Sequence, residues 1–157
     1  MAGPKLWPLT AAEVEWKEQQ LAAARALIDT FSPADAGQPI TLAALDRAFA
    51  AWLVRGSQDN AEVNGTINAV GIRFGQFLVD EAGFEWIVAT DQQGTELAVV
   101  ALRGIADVLV FPANFVAKRW ERKEVNFLAH AVASIKEQVA SVAASGGEPP
   151  RPWWRFW

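Results

Sequence analysis

The chain contains no cysteine, no tyrosine and a single histidine, His130. The missing cysteines exclude disulfides, thiol nucleophiles and thiolate metal sites. The other two scarcities leave few of the side chains that usually move protons at neutral pH. Long hydrophobic runs are absent too, with none approaching the roughly 18–20 residues that a membrane-spanning helix needs. The opening stretch MAGPKLWPLTAAEVEW lacks the continuous apolar segment of a secretion signal, so a cytoplasmic location is the default expectation. Without such a signal, the sequon Asn64-Gly65-Thr66 reads as a chance match. Basic excess is also lacking: the net charge of −4 favours solubility and argues against wholesale nucleic-acid binding.

What is present suits a globular chain. Hydrophobic residues make up 52% and charged residues 20%, enough apolar matter for a core and too little charge for disorder. At 157 residues, one domain is expected without covalent staples. We expect residues 1–145 to form a single α+β domain, followed at 146–157 by a Gly/Pro linker and a Trp-rich tail.

Thr10 and Glu13 have the spacing of a capping box, predicting a first helix from Ala11 to about Thr30. Thr41 is placed to cap a second helix that buries Leu42, Leu45, Phe49, Trp52 and Leu53 and stops at Arg55-Gly56. Asp59 with Glu62 starts a third, running to about Ala82, with Val63, Ile67, Val70, Phe74 and Phe77 as its buried stripe. Interior glycines cost a helix about 1 kcal/mol each. Gly71 and Gly75 share one face with Asn64, Asn68 and Leu78, and close backbone approach by a neighbour is the simplest offset.

Three strands are predicted next, at Phe84–Asp91, Thr95–Leu102 and Asp107–Phe111. Their links are too short for parallel crossovers, so the strands form an antiparallel meander. Pro112 ends the sheet and opens a short helix through about Arg122. A last helix to about Ala144 carries Val125, Leu128, Val132, Ile135, Val139 and Val142 at three-four spacing. The expected fold is therefore α+β, a three-stranded meander packed against helices in the order ααα-βββ-αα.

No motif for chemistry stands out. His130 has no partner at metal-ligand spacing and reads as a packed or surface residue. The acids Asp80, Glu81, Glu85 and Asp91 form no calcium loop, no G-x-S-x-G is present, and Gly71-Ile-Arg-Phe-Gly75 lacks phosphate-loop spacing. No metal and no cofactor is implied. The cluster Lys118-Arg119-Trp120-Glu121-Arg122-Lys123 could bind phosphate or stack a base, but reads first as a solvated helix face with Trp120 turned inward.

The tail Trp153, Trp154, Arg155, Phe156 and Trp157 follows the linker and resembles an interfacial anchor. Its membrane affinity alone would be marginal, comparable to one myristoyl chain at ~10⁴ M⁻¹. Docking into a partner groove, or folding back over the domain's own apolar surface, carries more weight.

Several motifs together point to a family. Phe74-Gly75 through Leu78, Phe84-x-Trp86-x-Val88, Asp91 with Gly94-Thr95-x-Leu97, and Phe111-Pro112 with Val116-Ala117-Lys118-Arg119 resemble the bacterial "domain of unknown function 3806" family over about residues 60–140. The resemblance implies a small α+β domain and supplies no catalytic residues. It directs attention to Trp86, Asp91, Pro112, Lys118 and Arg119, of which Asp91, Lys118 and Arg119 could rim a ligand or partner site. The leading expectation is a non-catalytic protein-interaction module with the aromatic tail as one contact. The alternatives are a small-ligand binder or enzyme using Asp91, Lys118 and Arg119, and peripheral membrane association through the tail.

Overall fold

The computed structural model describes residues 3–56 and 59–146. These form four strands and five α-helices: β1 (Lys5–Trp7), α1 (Ala11–Phe31), α2 (Leu42–Arg55), α3 (Asn60–Glu81), β2 (Glu85–Asp91), β3 (Gly94–Ala101), β4 (Val108–Val110), α4 (Pro112–Glu121) and α5 (Leu128–Ala144), with a short 3₁₀ turn at Pro33–Asp35. The α+β class is as expected, but the sheet has four strands rather than three. The addition is β1, which pairs antiparallel with β2 in the register Leu6 opposite Ala89. The sheet order is β1-β2-β3-β4, antiparallel throughout. A three-residue strand between Pro4 and Pro8 has no periodicity to announce it, and proline is tolerated at a sheet edge where no ladder donor is needed.

The helix starts follow local chemistry. The Glu13 amide donates to Thr10 Oγ1 at 3.3 Å while the Thr10 amide donates to Glu13 Oε1 at 2.8 Å, closing the capping box. Thr41 accepts from the Ala44 amide at 3.0 Å. Asp59 accepts from the Ala61 amide at 3.0 Å, whereas Glu62 turns to the Trp52 indole at 3.2 Å and to Arg55. The last helix starts later than its apolar spacing suggests. Lys123 and Asn126 adopt left-handed backbone angles (φ 56° and 58°), so α5 opens at Leu128 and Val125 stays outside it, 39% exposed.

Helices cover one face of the sheet. Val99, Ala101, Val108 and Val110 pack into the main core with Phe49, Trp52, Phe74, Phe77, Phe115 and the inner faces of α1 and α5. Phe74 stacks on Phe115 at 4.8 Å, and Phe127 meets Phe49 edge-on at 5.7 Å, tying α2, α3, α4 and the loop before α5 together. The opposite sheet face carries a second buried cluster of Ile87, Ala89, Ala98, Val100 and Leu109.

Gly71 and Gly75 admit the close approach their face calls for. A Cβ on Gly71 would lie 2.6 Å from the Ala113 Cα and 2.9 Å from the Pro112 carbonyl oxygen. One on Gly75 would meet the Trp86 ring at 2.6 Å and Pro112 Cγ at 2.8 Å. Helix α4 therefore enters against the α3 backbone, which fixes what faces what around the site below.

Candidate functional site

Because α4 is seated on Gly71, its outer side lies opposite the earlier turns of the same α3 face. Those turns carry Asn64 and Asn68, one helical turn apart. Asn114 and Ala117 of α4 line the opposing wall, and the β2–β3 turn supplies Asp91, Gln93, Thr95 and Glu96. Ile67, Ala89 and Phe111 complete the lining. The result is an open groove of about 660 Å³, within the usual size of a ligand site but more polar than most.

The turn holds its shape through Asp91, whose Oδ1 accepts from the Gln93 amide at 2.7 Å. Directly opposite Ala89 in the β2–β3 ladder is Glu96. Desolvation at the groove raises its carboxyl above the ordinary value, the neighbouring Asp91 charge adds to this, and Lys118 opposes it. The residue as a whole is exposed, so this desolvation is local and the carboxyl remains accessible. Asn64, Asn68 and Asn114 have no side-chain hydrogen-bond partner among the described residues.

Asp91 is thus in the groove, and Lys118 stands close enough to act on Glu96. Arg119, the next residue on α4, leaves in another direction. Its guanidinium lies 3.7 Å over the Phe115 ring, donates to the Phe115 carbonyl at 3.4 Å and approaches Glu124 at 3.9 Å. Burial lowers its pKa, with Glu124 opposing that shift. Arg122 also approaches Glu124, at 3.6 Å, and Lys123 lies 4.3 Å from the Trp120 ring centre, so much of the basic run is engaged locally. Trp86 reaches across to α3, its indole donating to Gln76 Oε1 at 3.0 Å.

Sequence reasoning missed Glu96 and the three asparagines as site residues. The signal for Asn64 and Asn68 was their shared face with Gly71 and Gly75. Glu96 and Asn114 join them only through tertiary packing. The tail residues Trp153, Trp154, Arg155, Phe156 and Trp157 lie outside the described residues. Among the described residues, no helix is long and apolar enough to cross a membrane, and no cluster of His, Asp or Glu could hold a metal ion.

The family model described as Domain of unknown function (DUF3806) matches residues 50–129, a span that contains α3, β2, β3, β4 and α4, and so every element lining the groove. No curated protein and no solved structure matches the chain. With half of its length matched by the family model, the chain belongs to the DUF3806 family.

Proposed function

We propose that the domain is a non-catalytic recognition module whose groove holds a short cationic ligand, such as an arginine- or lysine-bearing peptide segment. The observation that carries this reading is the convergence of three asparagine amides and two carboxylates on one open groove. Amides donate and accept hydrogen bonds but do not ionise near neutral pH, so the array is suited to recognition. Asp91 and Glu96 outweigh Lys118, leaving a local excess of negative charge that favours a positive partner. The raised Glu96 carboxyl beside Asp91 favours a second reading, a proton-transferring enzyme acting on a small polar ligand.

The test is a ¹H–¹⁵N correlation titration of the intact chain with the tripeptides Gly-Arg-Gly and Gly-Glu-Gly. The first should shift the side-chain amide signals of Asn64, Asn68 and Asn114 and the backbone signal of Gly94. Asp91→Asn with Glu96→Gln should weaken that response at least tenfold. No response to either peptide at millimolar concentration, or an equal response to both, overturns the reading.

A further inference from the structure

The back of the sheet is buried, yet the helices lie on the other side. Ile87 and Val100 are each 1% exposed, Ala98 0%, Ala89 3% and Leu109 3%. Among the described residues, Leu6 and Phe111 pack against this cluster. Leu6 sits opposite Ala89 on the edge strand, and Phe111 lies just past the end of β4. Both belong to the same sheet layer, so they flank the cluster without roofing it. A strand side chain is shielded sideways by its neighbours but stands perpendicular to the sheet, and its far end meets water unless another layer covers it.

We propose that the segment 147–157 lies across this back face, with Trp153, Trp154 and Trp157 covering Ile87, Val100 and Leu109. The middle of α5 passes the end of α3, close to where β2 begins. Lys136 Nζ lies 3.9 Å from Glu81, the last residue of α3, and β2 begins only four residues later at Glu85. Val142 remains buried in the main core, so α5 keeps to the body of the protein almost to its end. From there, extended chain at about 3.1–3.3 Å per residue carries residues 147–157 roughly 30 Å. Four strands about 4.8 Å apart present a face only ~14 Å across.

The composition of the segment also fits. Pro149, Pro150 and Pro152 favour extended backbone and leave few amide donors to satisfy against an apolar surface. Each aromatic ring brings on the order of 150–250 Å² of surface to bury. Arg151 and Arg155 can keep their charged ends in water at the rim while their stems pack. The inference does not depend on what the groove binds.

Methyl NMR on the full chain, labelled at Ile, Leu and Val, tests the proposal. Ile87, Val100 and Leu109 methyls should show contacts to tail indole protons and upfield ring-current shifts. Substituting W153A, W154A and W157A together should abolish both, while Val70 in the helical core keeps its shifts. A mixture of differently labelled copies separates contacts within a chain from contacts between chains. Contacts only between copies overturn the proposal in favour of a second copy of this chain. Tail indoles at free-peptide shifts, with co-flotation on phosphatidylserine vesicles, overturn it in favour of a membrane surface.

Discussion

Asp46 is a buried acid on α2 that serves a helix far along the chain. Its Oδ1 accepts from the Leu128 amide at 3.2 Å, and the Phe127 and Ala129 amides also bear on it. Phe127, the residue before α5, provides no side-chain cap, so a carboxylate from α2 takes that place. Asp46→Ala should therefore remove a cap and strand buried donors at once. Losing a cap costs about 1 kcal/mol, and an unsatisfied buried amide a further ~1–3 kcal/mol. Some of the second cost is relieved by water, so we expect a net loss of about 2 kcal/mol, or a melting midpoint lower by roughly 4–8 °C. Asp46→Asn keeps an acceptor oxygen and should lose less than half as much.

The pH dependence sharpens the test. Burial raises the Asp46 carboxyl above its ordinary value of 3.8, while the amides of Leu128, Ala129 and Phe127 pull it down. A raised carboxyl favours the protonated form in the fold. The extra stability linked to this shift is thus fully present below the unfolded-state value and lost as pH rises through the folded-state value, leaving the cap itself. The Asn variant, which does not titrate, should gain on the wild type as pH rises across that window. Urea unfolding at several pH values, with unchanged slope, measures both effects. If Ala is within ~0.5 kcal/mol of wild type, or Asn is as damaging as Ala at neutral pH, the capping argument fails.

Two glycines of α3 should respond to alanine with opposite signs. Gly71→Ala would drive a Cβ against the α4 backbone and should cost about 1–3 kcal/mol, whereas Gly65→Ala meets nothing within 4 Å and should stabilise by about 0.5–1 kcal/mol in the same unfolding assay. Asp35 is held at a pKa of about 2 by hydrogen bonds from Arg47 and Ser32, so the stability it confers is present above 3.8 and lost as pH falls toward 2. Arg47→Ala should return its carboxyl toward the ordinary value in an NMR titration, and an unchanged midpoint would remove Arg47 as the cause.

Much of the helical frame was legible because its signals are local. Thr10 with Glu13, Thr41 before Leu42, and Asp59 before Asn60 mark starts that neighbouring amides respond to directly. The β2–β3–β4 meander was legible for the same reason, since Asp91 to Gly94 closes within a few residues. The start of α5 was not, because its cap comes from Asp46, 82 residues earlier. Strand β1 was not, because three residues acquire a β conformation only by pairing with a strand far along the chain. The groove was half legible. Asp91 was named from the family resemblance, but Glu96 and Asn114 meet it through sheet pairing and through the fit of α4 on Gly71. Arg119 was named beside Lys118, yet helical geometry sends adjacent side chains to different sides.

Strand β1 has a consequence for how this protein can safely be shortened. Its residues Lys5, Leu6 and Trp7 occupy the outer side of β2 at Thr90, Ala89 and Val88, with prolines immediately before and after. A version beginning after Pro8 would bare that part of β2's hydrogen-bonding edge, next to the apolar Ile87 and Ala89. An uncovered edge of that kind recruits strands from other molecules. Trimming the amino terminus to improve behaviour in solution should therefore achieve the reverse, because the short proline-flanked strand covers that edge.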